Sequence, residues 1–395
     1  MPHTDAPVRD PYNEGMSSRE LVIVGMSGGV DSSVAAAVLL QQGFEVQGIF
    51  MSNWAEDEDG YCTAAADYQD ARRVADLLGI TLHRIDFSRQ YRERVFRHFL
   101  EEYAAGRTPN PDVLCNREIK FGVCFDYARR LGADRFATGH YARLESDSRT
   151  RLLKASDAAK DQSYFLHAVP RSALERTLFP LGALGKTQVR RIARDQALPV
   201  HDKKDSTGIC FIGERPFARF LEQYLPARPG LIVDEAGVPV GRHRGLMFYT
   251  LGQRKGLGIG GRRDAGEAPW YVIGKDLERN ELQVSQRREH PRLMSDELIA
   301  EQVGWIGPPP SMPMRCAAKT RYRQPDQSCR VSALGPDRVL VEFDRPQWCV
   351  TPGQYVVFYQ GQECLGGGVI ASGSASARSA PRREYGSVAA YPVPG

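Results

Sequence analysis

Residues 22–40 read VIVGMSGGVDSSVAAAVLL: an apolar run that suits a buried strand, a Gly/Ser turn, and an Ala/Val/Leu run that suits a helix. Such a turn can seat a phosphate, because backbone N–H groups converge at a helix start and glycines let the ligand come close. Gly28 and Gly29 meet that need, and Ser27, Ser32 and Ser33 add hydroxyl donors. Asp31 offers Mg²⁺ the oxygen ligand that a phosphate-bound ion prefers. A ligand-free strand-to-helix turn would use the same glycines. The stretch holds no lysine, which excludes G-x-x-x-x-G-K-[ST], and Gly25, Gly28 and Gly29 are misspaced for G-x-G-x-x-G.

Outward from this stretch, strand-like and helix-like runs alternate as far as about residue 142: EVQGIFM, ADYQDARRVADLLG, TLHRIDF, YRERVFRHFLEEYAAG, REIKFGVCFDYARRLG and RFATGHYA. That order predicts an α/β domain with a parallel sheet and crossover helices over residues 19–215. Short β-like runs with Pro-Gly punctuation follow, so 216–290 is expected to be a small, mostly β central domain. From 291 to 371 the runs RCAAKTRYR, SCRVSAL, DRVLVEF and QYVVFYQ predict an antiparallel β-barrel. Residues 1–18 and 372–395 have the composition of disordered ends.

The chain has 395 residues, is 42% hydrophobic and 25% charged, and carries a net charge of +4. Several domains are expected at this length, and nucleic-acid binding would have to come from where the charges sit. No long apolar run or secretory h-region appears, so a cytoplasmic protein with no membrane contact is expected. The eight cysteines include no C-x-x-C pair, a pattern closer to reduced thiols than to a disulfide framework or zinc site.

Two segments carry candidate thiols. In GRTPNPDVLCNREIKFG, residues 109–112 form a turn and Cys115 falls just before or within the first turn of the next helix. A helix N-terminus favours the thiolate; a core cysteine packed as a small hydrophobe is the plain alternative. Asp112 is a candidate general acid or base, with helix capping as a compatible role. In KKDSTGICFIGERPF, Cys210 alone reads as a core residue.

The signature S-G-G-x-D-S after the first strand resembles the PP-loop of the ATP pyrophosphatase superfamily, whose members adenylate a substrate oxygen and release pyrophosphate. Together with NPDVLCN, STGICFIG, GHYAR, KDQSYFL, YTLGQRKGLGIGG and RYRQ, it resembles the bacterial tRNA-specific 2-thiouridylase family over about residues 20–370. The resemblance implies that Gly25, Met26, Ser27, Gly28, Gly29, Val30, Asp31 and Ser32, with Met51 and Gly139, lie along ATP. It implies that Asn110, Pro111 and Asp112 meet the target base. Lys160, Asp161 and Gln162 would touch tRNA, as would Arg321 and Tyr322 from the C-terminal domain. Cys115 would be the nucleophile and Cys210 the persulfide carrier, leaving a Cys115–Cys210 disulfide after turnover. ATP with Mg²⁺, a tRNA wobble uridine, and a cysteine desulfurase or sulfur-relay donor complete the implied set. An iron–sulfur cluster is disfavoured because its ligands normally lie closer together.

Other features are weaker. The basic, Gly-rich residues 242–264 suit a backbone-reading surface but also ordinary solvated loops. Arg321, Tyr322 and Arg323 alternate charge with an aromatic, as a barrel strand also can. Cys62 and Cys124 carry no role, Cys316, Cys329, Cys349 and Cys364 read as packing residues, and His140 stands beside Gly139. Two rival readings remain: another PP-loop enzyme, such as a tRNA lysidine synthetase or an amide-forming synthetase, and an RNA-binding protein with a vestigial nucleotide site.

Overall fold

Strand β1 (Leu21–Met26) has side chains buried on both faces, a situation that a parallel sheet covered by helices on both sides provides. The computed structural model describes residues 19–54, 64–205, 217–259 and 268–374. In it β1 is the centre of a five-stranded sheet with β2 (Glu45–Ser52), β3 (Leu82–Asp86) and β4 (Arg135–Thr138). The fifth strand, β7 (Thr177–Leu178), follows a hairpin of β5 (Ala142–Ser146) and β6 (Thr150–Lys154). The sheet order is β3-β2-β1-β4-β7 and every pairing is parallel.

Val22, Val24 and Met26 pack on one side against helix α1 (Val30–Gln41), while Ile23 faces Trp54, Phe121 and Phe136 on the other. Each fully buried Val or Ile here contributes at most about 2 kcal/mol. Small residues Ala35 and Ala36 let helix Lys186–Asp195 pack close, with Val189 and Ala193 in the same cluster. Chain order reverses between β2 and β4 on either side of β1, so the Gly/Ser turn sits at a switch point, where open α/β sheets bind ligands.

The sequence reads RFATGHYA as one strand, but β4 stops at Thr138 and β5 begins at Ala142. A Cβ on Gly139 would lie 2.7 Å from the backbone of Asp31 and Ser32, so the chain turns away where α1 starts. Hairpin β5–β6 then leaves the parallel sheet and adds itself to the C-terminal barrel.

The middle of the chain forms a four-stranded sheet in the order β10-β11-β8-β9: β8 (Gly230–Val233), β9 (Pro239–His243), β10 (Tyr271–Asp276) and β11 (Glu281–Ser285). The barrel follows with β12 (Met294–Trp305), β13 (Met314–Lys319), β14 (Gln327–Ala333), β15 (Val339–Trp348), β16 (Tyr355–Gln360) and β17 (Glu363–Ser374). These six are antiparallel and close through β12–β17, over a core that includes Leu298, Val331, Val341, Phe358 and Ile370. Leu152 and Leu153 of β6 pair with Cys364 and Glu363 of β17. The expected disordered tail from residue 372 is corrected at its start: Ser372, Gly373 and Ser374 pair with Ile299, Leu298 and Glu297. Residues 1–18 and 375–395 lie outside the described residues. No helix among the described residues is long and apolar enough to cross a membrane.

Candidate active site

The turn after β1 is shaped by its neighbours. Gly28 has φ +73°, and a Cβ there would stand 2.1 Å from the carbonyl oxygen of Asp67 in helix α2 (Ala64–Leu78), so only glycine fits. Gly29 is extended and precedes the first residue of α1. Two of the three serines turn inward. Ser32 Oγ accepts from Ser27 N–H and donates to Gly29 O, both at 3.1 Å, and Ser33 Oγ donates to Gly29 O at 2.9 Å. Both are buried, leaving Ser27 as the open hydroxyl. Met51 and Thr138 flank Gly25 at the strand end.

Two lysines from elsewhere in the chain stand beside the turn, which sequence reading did not find. Lys186, the first residue of its helix, places Nζ 2.7 and 2.9 Å from the two carboxylate oxygens of Asp31, and Tyr141 Oη donates to Asp31 at 2.7 Å. Lys203 Nζ donates to Gly28 O at 3.0 Å, to Asp67 at 2.7 Å and to Asp70 at 2.5 Å. Asp205 gathers Lys186 at 2.7 Å, Lys160 at 2.9 Å and Arg190 at 2.8 Å. Burial alone would raise the Asp205 carboxyl, but hydrogen bonds from Lys186 and Lys160 outweigh it and hold it at about 2. Burial likewise opposes Lys203, yet Asp67 and Asp70 raise its ammonium above the ordinary range. The one signal available was Lys203 itself, inside the KKDSTGIC segment.

Gly139 backs directly onto the first turn of α1. His140 beside it is half-buried, with Nδ1 2.7 Å from Thr138 Oγ1 and its ring near Phe121 and Phe179. Burial pushes it well below the usual histidine range, so it stays neutral.

The second segment corrects an expectation. Asn110 Oδ1 accepts from Asp112 N–H at 3.2 Å and Pro111 occupies the first helical position, so the helix begins at Pro111. Asn110, rather than Asp112, is the cap. Cys115 therefore lies one turn inside, where a short α-turn (Pro111–Leu114) passes into a π-helical stretch (Cys115–Cys124), and only 1% of it is exposed. The helix N-terminus does not act on its sulfur directly. Burial raises the Asp112 carboxyl above its ordinary range, with Lys120 opposing.

Three parts of the fold clamp the preceding residues. Lys275 Nζ donates to Gly106 O at 2.9 Å and Thr250 Oγ1 lies 3.2 Å from Thr108 Oγ1. From the barrel, Gln354 Nε2 donates to Thr108 O at 2.7 Å and Pro109 O at 3.3 Å, and Thr108 N–H donates to Pro352 O at 3.1 Å.

Residues 160–162 connect the two regions. Gln162 Oε1 accepts from Tyr141 N–H at 2.9 Å, and Tyr141 in turn holds Asp31. Asp161 is 6% exposed and accepts from Ala155 N–H, Ser163 N–H and Ser163 Oγ, so its carboxylate is committed internally. Asn116, next to Cys115, donates to Phe165 O at 3.0 Å, and Tyr322 packs on the Phe165 ring at 4.4 Å. Arg321 donates to the carbonyls of Trp348 and Cys349 at 3.2 and 2.7 Å and lies over the Trp348 ring. Cys62 and Cys210 lie outside the described residues, as do residues 260–264 of the basic run. No three His, Cys, Asp or Glu side chains among the described residues form a metal-binding group.

Three family descriptions match in chain order: "tRNA methyl transferase HUP domain" over residues 20–214, "tRNA methyl transferase PRC-barrel domain" over 218–286 and "Aminomethyltransferase beta-barrel domain" over 295–370. The tRNA-specific 2-thiouridylase MnmA of Hahella chejuensis is 60% identical over 354 residues, 89% of this chain and 97% of that protein. The protein of the same name from Alcanivorax borkumensis is 60% identical over 351 residues, 88% and 96% of the two chains. An Escherichia coli counterpart is 58% identical over 353 residues, again 88% and 96%. Identity at this level, running through all three domains and nearly the whole length of each relative, places the chain in the tRNA-specific 2-thiouridylase family.

Proposed function

We propose that the chain is an ATP-dependent tRNA sulfurtransferase that converts a wobble uridine to 2-thiouridine. The observation that carries this reading is the turn at Ser27–Gly29, which leads from the end of β1 into the start of α1 with Lys186 and Lys203 beside it. The two ammonium groups, paired here with Asp31, Asp205, Asp67 and Asp70, stand within reach of phosphates bound at the turn, and the missing Cβ at Gly29 leaves its backbone approachable. Mg²⁺ bound to phosphates needs only one or two carboxylates, and Asp31 is suited by chemistry and place.

A uracil C2 oxygen is a poor leaving group. In the proposed reaction it attacks the α-phosphorus of ATP, the bond to the β-phosphate breaks, and pyrophosphate leaves. The terminal sulfur of a persulfide on Cys210 then attacks C2 and displaces AMP. Attack by Cys115 on the Cys210 sulfur frees the thiocarbonyl and leaves a Cys115–Cys210 disulfide, which a dithiol reduces before the next turnover. The alternative order has Cys115 attack the persulfide first and release sulfide, which then displaces AMP. Asp112, its carboxyl raised by burial, is placed three residues before Cys115 to carry a proton. Asn110 and Pro111, with Asp112, are the proposed contacts of the target base, and Lys160, Gln162, Arg321 and Tyr322 are the proposed tRNA contacts. A cysteine desulfurase or a sulfur-relay protein supplies the persulfide, and the setting is the cytoplasm.

The test is mass spectrometry of nucleosides from tRNA incubated with the protein, ATP, Mg²⁺ and a persulfide source. The wild type is expected to form 2-thiouridine, and Cys115→Ser and Cys210→Ser to form none. Pyrophosphate release without any thionucleoside in the wild type would retain adenylation and overturn the sulfur transfer.

A further inference from the structure

Cys316 and Cys329 sit opposite each other on β13 and β14, as register partners of an antiparallel pair. Their side chains share a face and their sulfurs are 3.7 Å apart, already in contact. Both are free thiols. Directly paired antiparallel residues have Cα separations of roughly 4.5–5.5 Å, within the span that a disulfide bridges, so a small χ rotation of each side chain is enough to join them.

The two sulfurs differ in access and charge. Cys329 is fully buried among Leu298, Val331, Val341 and Phe358, whereas Cys316 is half-buried and reachable from solvent. The hydrogen bond from Cys329 lowers the Cys316 thiol, with burial opposing and Arg315 assisting, while the same contact and burial push Cys329 up. One thiol is thus reached from solvent, and its neighbour lies in van der Waals contact with it. The pair also sits at the base of the hairpin whose turn, residues 320–326, carries Arg321 and Tyr322.

We propose that Cys316 and Cys329 form a reversible cross-strand redox pair, oxidised to a disulfide by a small peroxide. The Cys316 thiolate attacks one peroxide oxygen, the O–O bond breaks, and a sulfenic acid and hydroxide result, the hydroxide taking up the proton that the Cys316 thiol released to give water. Cys329 sulfur then attacks the Cys316 sulfur and expels hydroxide, which takes the Cys329 proton to give a second water. Two thiols lose two electrons in all, and the peroxide gains them. A dithiol reverses the step by thiol–disulfide exchange. This site is separate from the pair proposed for sulfur transfer and needs neither ATP nor tRNA. Its effect is to tie the two strands on either side of the turn that carries Arg321 and Tyr322.

The experiment treats the full-length protein with stoichiometric hydrogen peroxide, alkylates it in denaturant, digests it at acidic pH and maps the peptides by mass. A linked pair of peptides containing Cys316 and Cys329, lighter by two hydrogens than the sum of the thiol forms, is expected. Loss of both alkylation products should accompany it, with both restored by dithiothreitol. In Cys329→Ser the expected product is a Cys316 sulfenic acid trapped by dimedone. Recovery of Cys316 and Cys329 as alkylated thiols after peroxide, or oxidation of Cys316 to a sulfinic acid in wild type with Cys329 still alkylated, would overturn the proposal. The wild-type map decides the matter even if the variant does not fold.

Discussion

Lys186 reaches Asp31 across 155 positions of sequence, its ammonium 2.7 Å from one carboxylate oxygen and 2.9 Å from the other. The same ammonium is 2.7 Å from Asp205, so one lysine bridges two acids beside the Gly/Ser turn. Replacing it with methionine leaves Asp31 with the Tyr141 hydroxyl and Asp205 with Lys160 and Arg190. Removing one partner of a fully buried pair costs about 3–5 kcal/mol. The acids here are about a third exposed, so roughly 1–2 kcal/mol of stability is expected to go. Nucleotide turnover should suffer more. Pyrophosphate release in the presence of tRNA is expected to fall by about 10- to 100-fold in kcat/KM, equivalent to roughly 1.4–2.7 kcal/mol. Lys186→Arg should recover part of that loss. Unchanged pyrophosphate release in Lys186→Met would mean that the lysine serves only the fold.

The three glycines around the turn separate shape from ligand. Gly28→Ala would force a Cβ to 2.1 Å from the Asp67 carbonyl at φ +73°, and Gly139→Ala would put one 2.7 Å from the start of α1. Each is expected to destabilise the protein by about 2–4 kcal/mol, visible as a lower urea midpoint. Gly29→Ala meets nothing nearer than Ser27 Oγ at 3.4 Å and has an ordinary extended φ of −98°. It should fold to within about 0.5 kcal/mol of wild type and still raise KM for ATP, because its methyl group would occupy the approach to the backbone. Equal loss of stability in all three variants would refute this division.

How much of this was legible follows from the range of each interaction. The strand, turn and helix around Gly28 rest on local pattern, and so does the alternation that builds the parallel sheet; the sequence reading and the structure agree there. The closed barrel follows from strands spaced by turns. Lys186 and Lys203 could not be found in that way, because only the packing of helix Lys186–Asp195 on α1 brings them to the turn. Hairpin β5–β6 was missed because its partner, β17, lies about 200 residues downstream. The position of Cys115 was misjudged for a local reason: Asn110 and Pro111 together make a stronger helix start than the Arg-Glu pair that follows the cysteine.

Asp112 should reveal itself in the pH dependence of turnover. Burial raises its carboxyl above the ordinary range and Lys120 pulls it part of the way back. An acid limb in kcat is therefore expected with its midpoint above pH ~4, the midpoint of an exposed aspartate. Asp112→Asn should remove that limb and lower kcat by about 10²- to 10⁴-fold, the usual range for a lost general acid or base. Asn110 would still cap the helix, so the melting temperature should hardly move. A persisting limb in the variant would assign the proton transfer to another group.

Lys275 offers a test of the clamp on residues 106–109. Its side chain runs from β10 to Gly106 O, and burial lowers its ammonium to about 8. The unfolded lysine titrates near 10.4, so between about pH 8 and 10.4 the unfolded chain holds more protons than the folded one. Stability from this group therefore rises with pH across that window, and below pH 8 the folded protein carries the full cost of a buried charge. That cost is at most about 3 kcal/mol, and less for a side chain that solvent still reaches. Lys275→Met removes it and leaves the Gly106 carbonyl without its donor, a loss of about 1 kcal/mol. At pH 7 the variant is expected to match or exceed wild-type stability by up to about 2 kcal/mol. Urea unfolding at several values between pH 7 and 10 should show the gap closing as pH rises. Parallel curves for the two proteins would show that Lys275 keeps its charge throughout and that the clamp is held by an ordinary ammonium-to-carbonyl hydrogen bond.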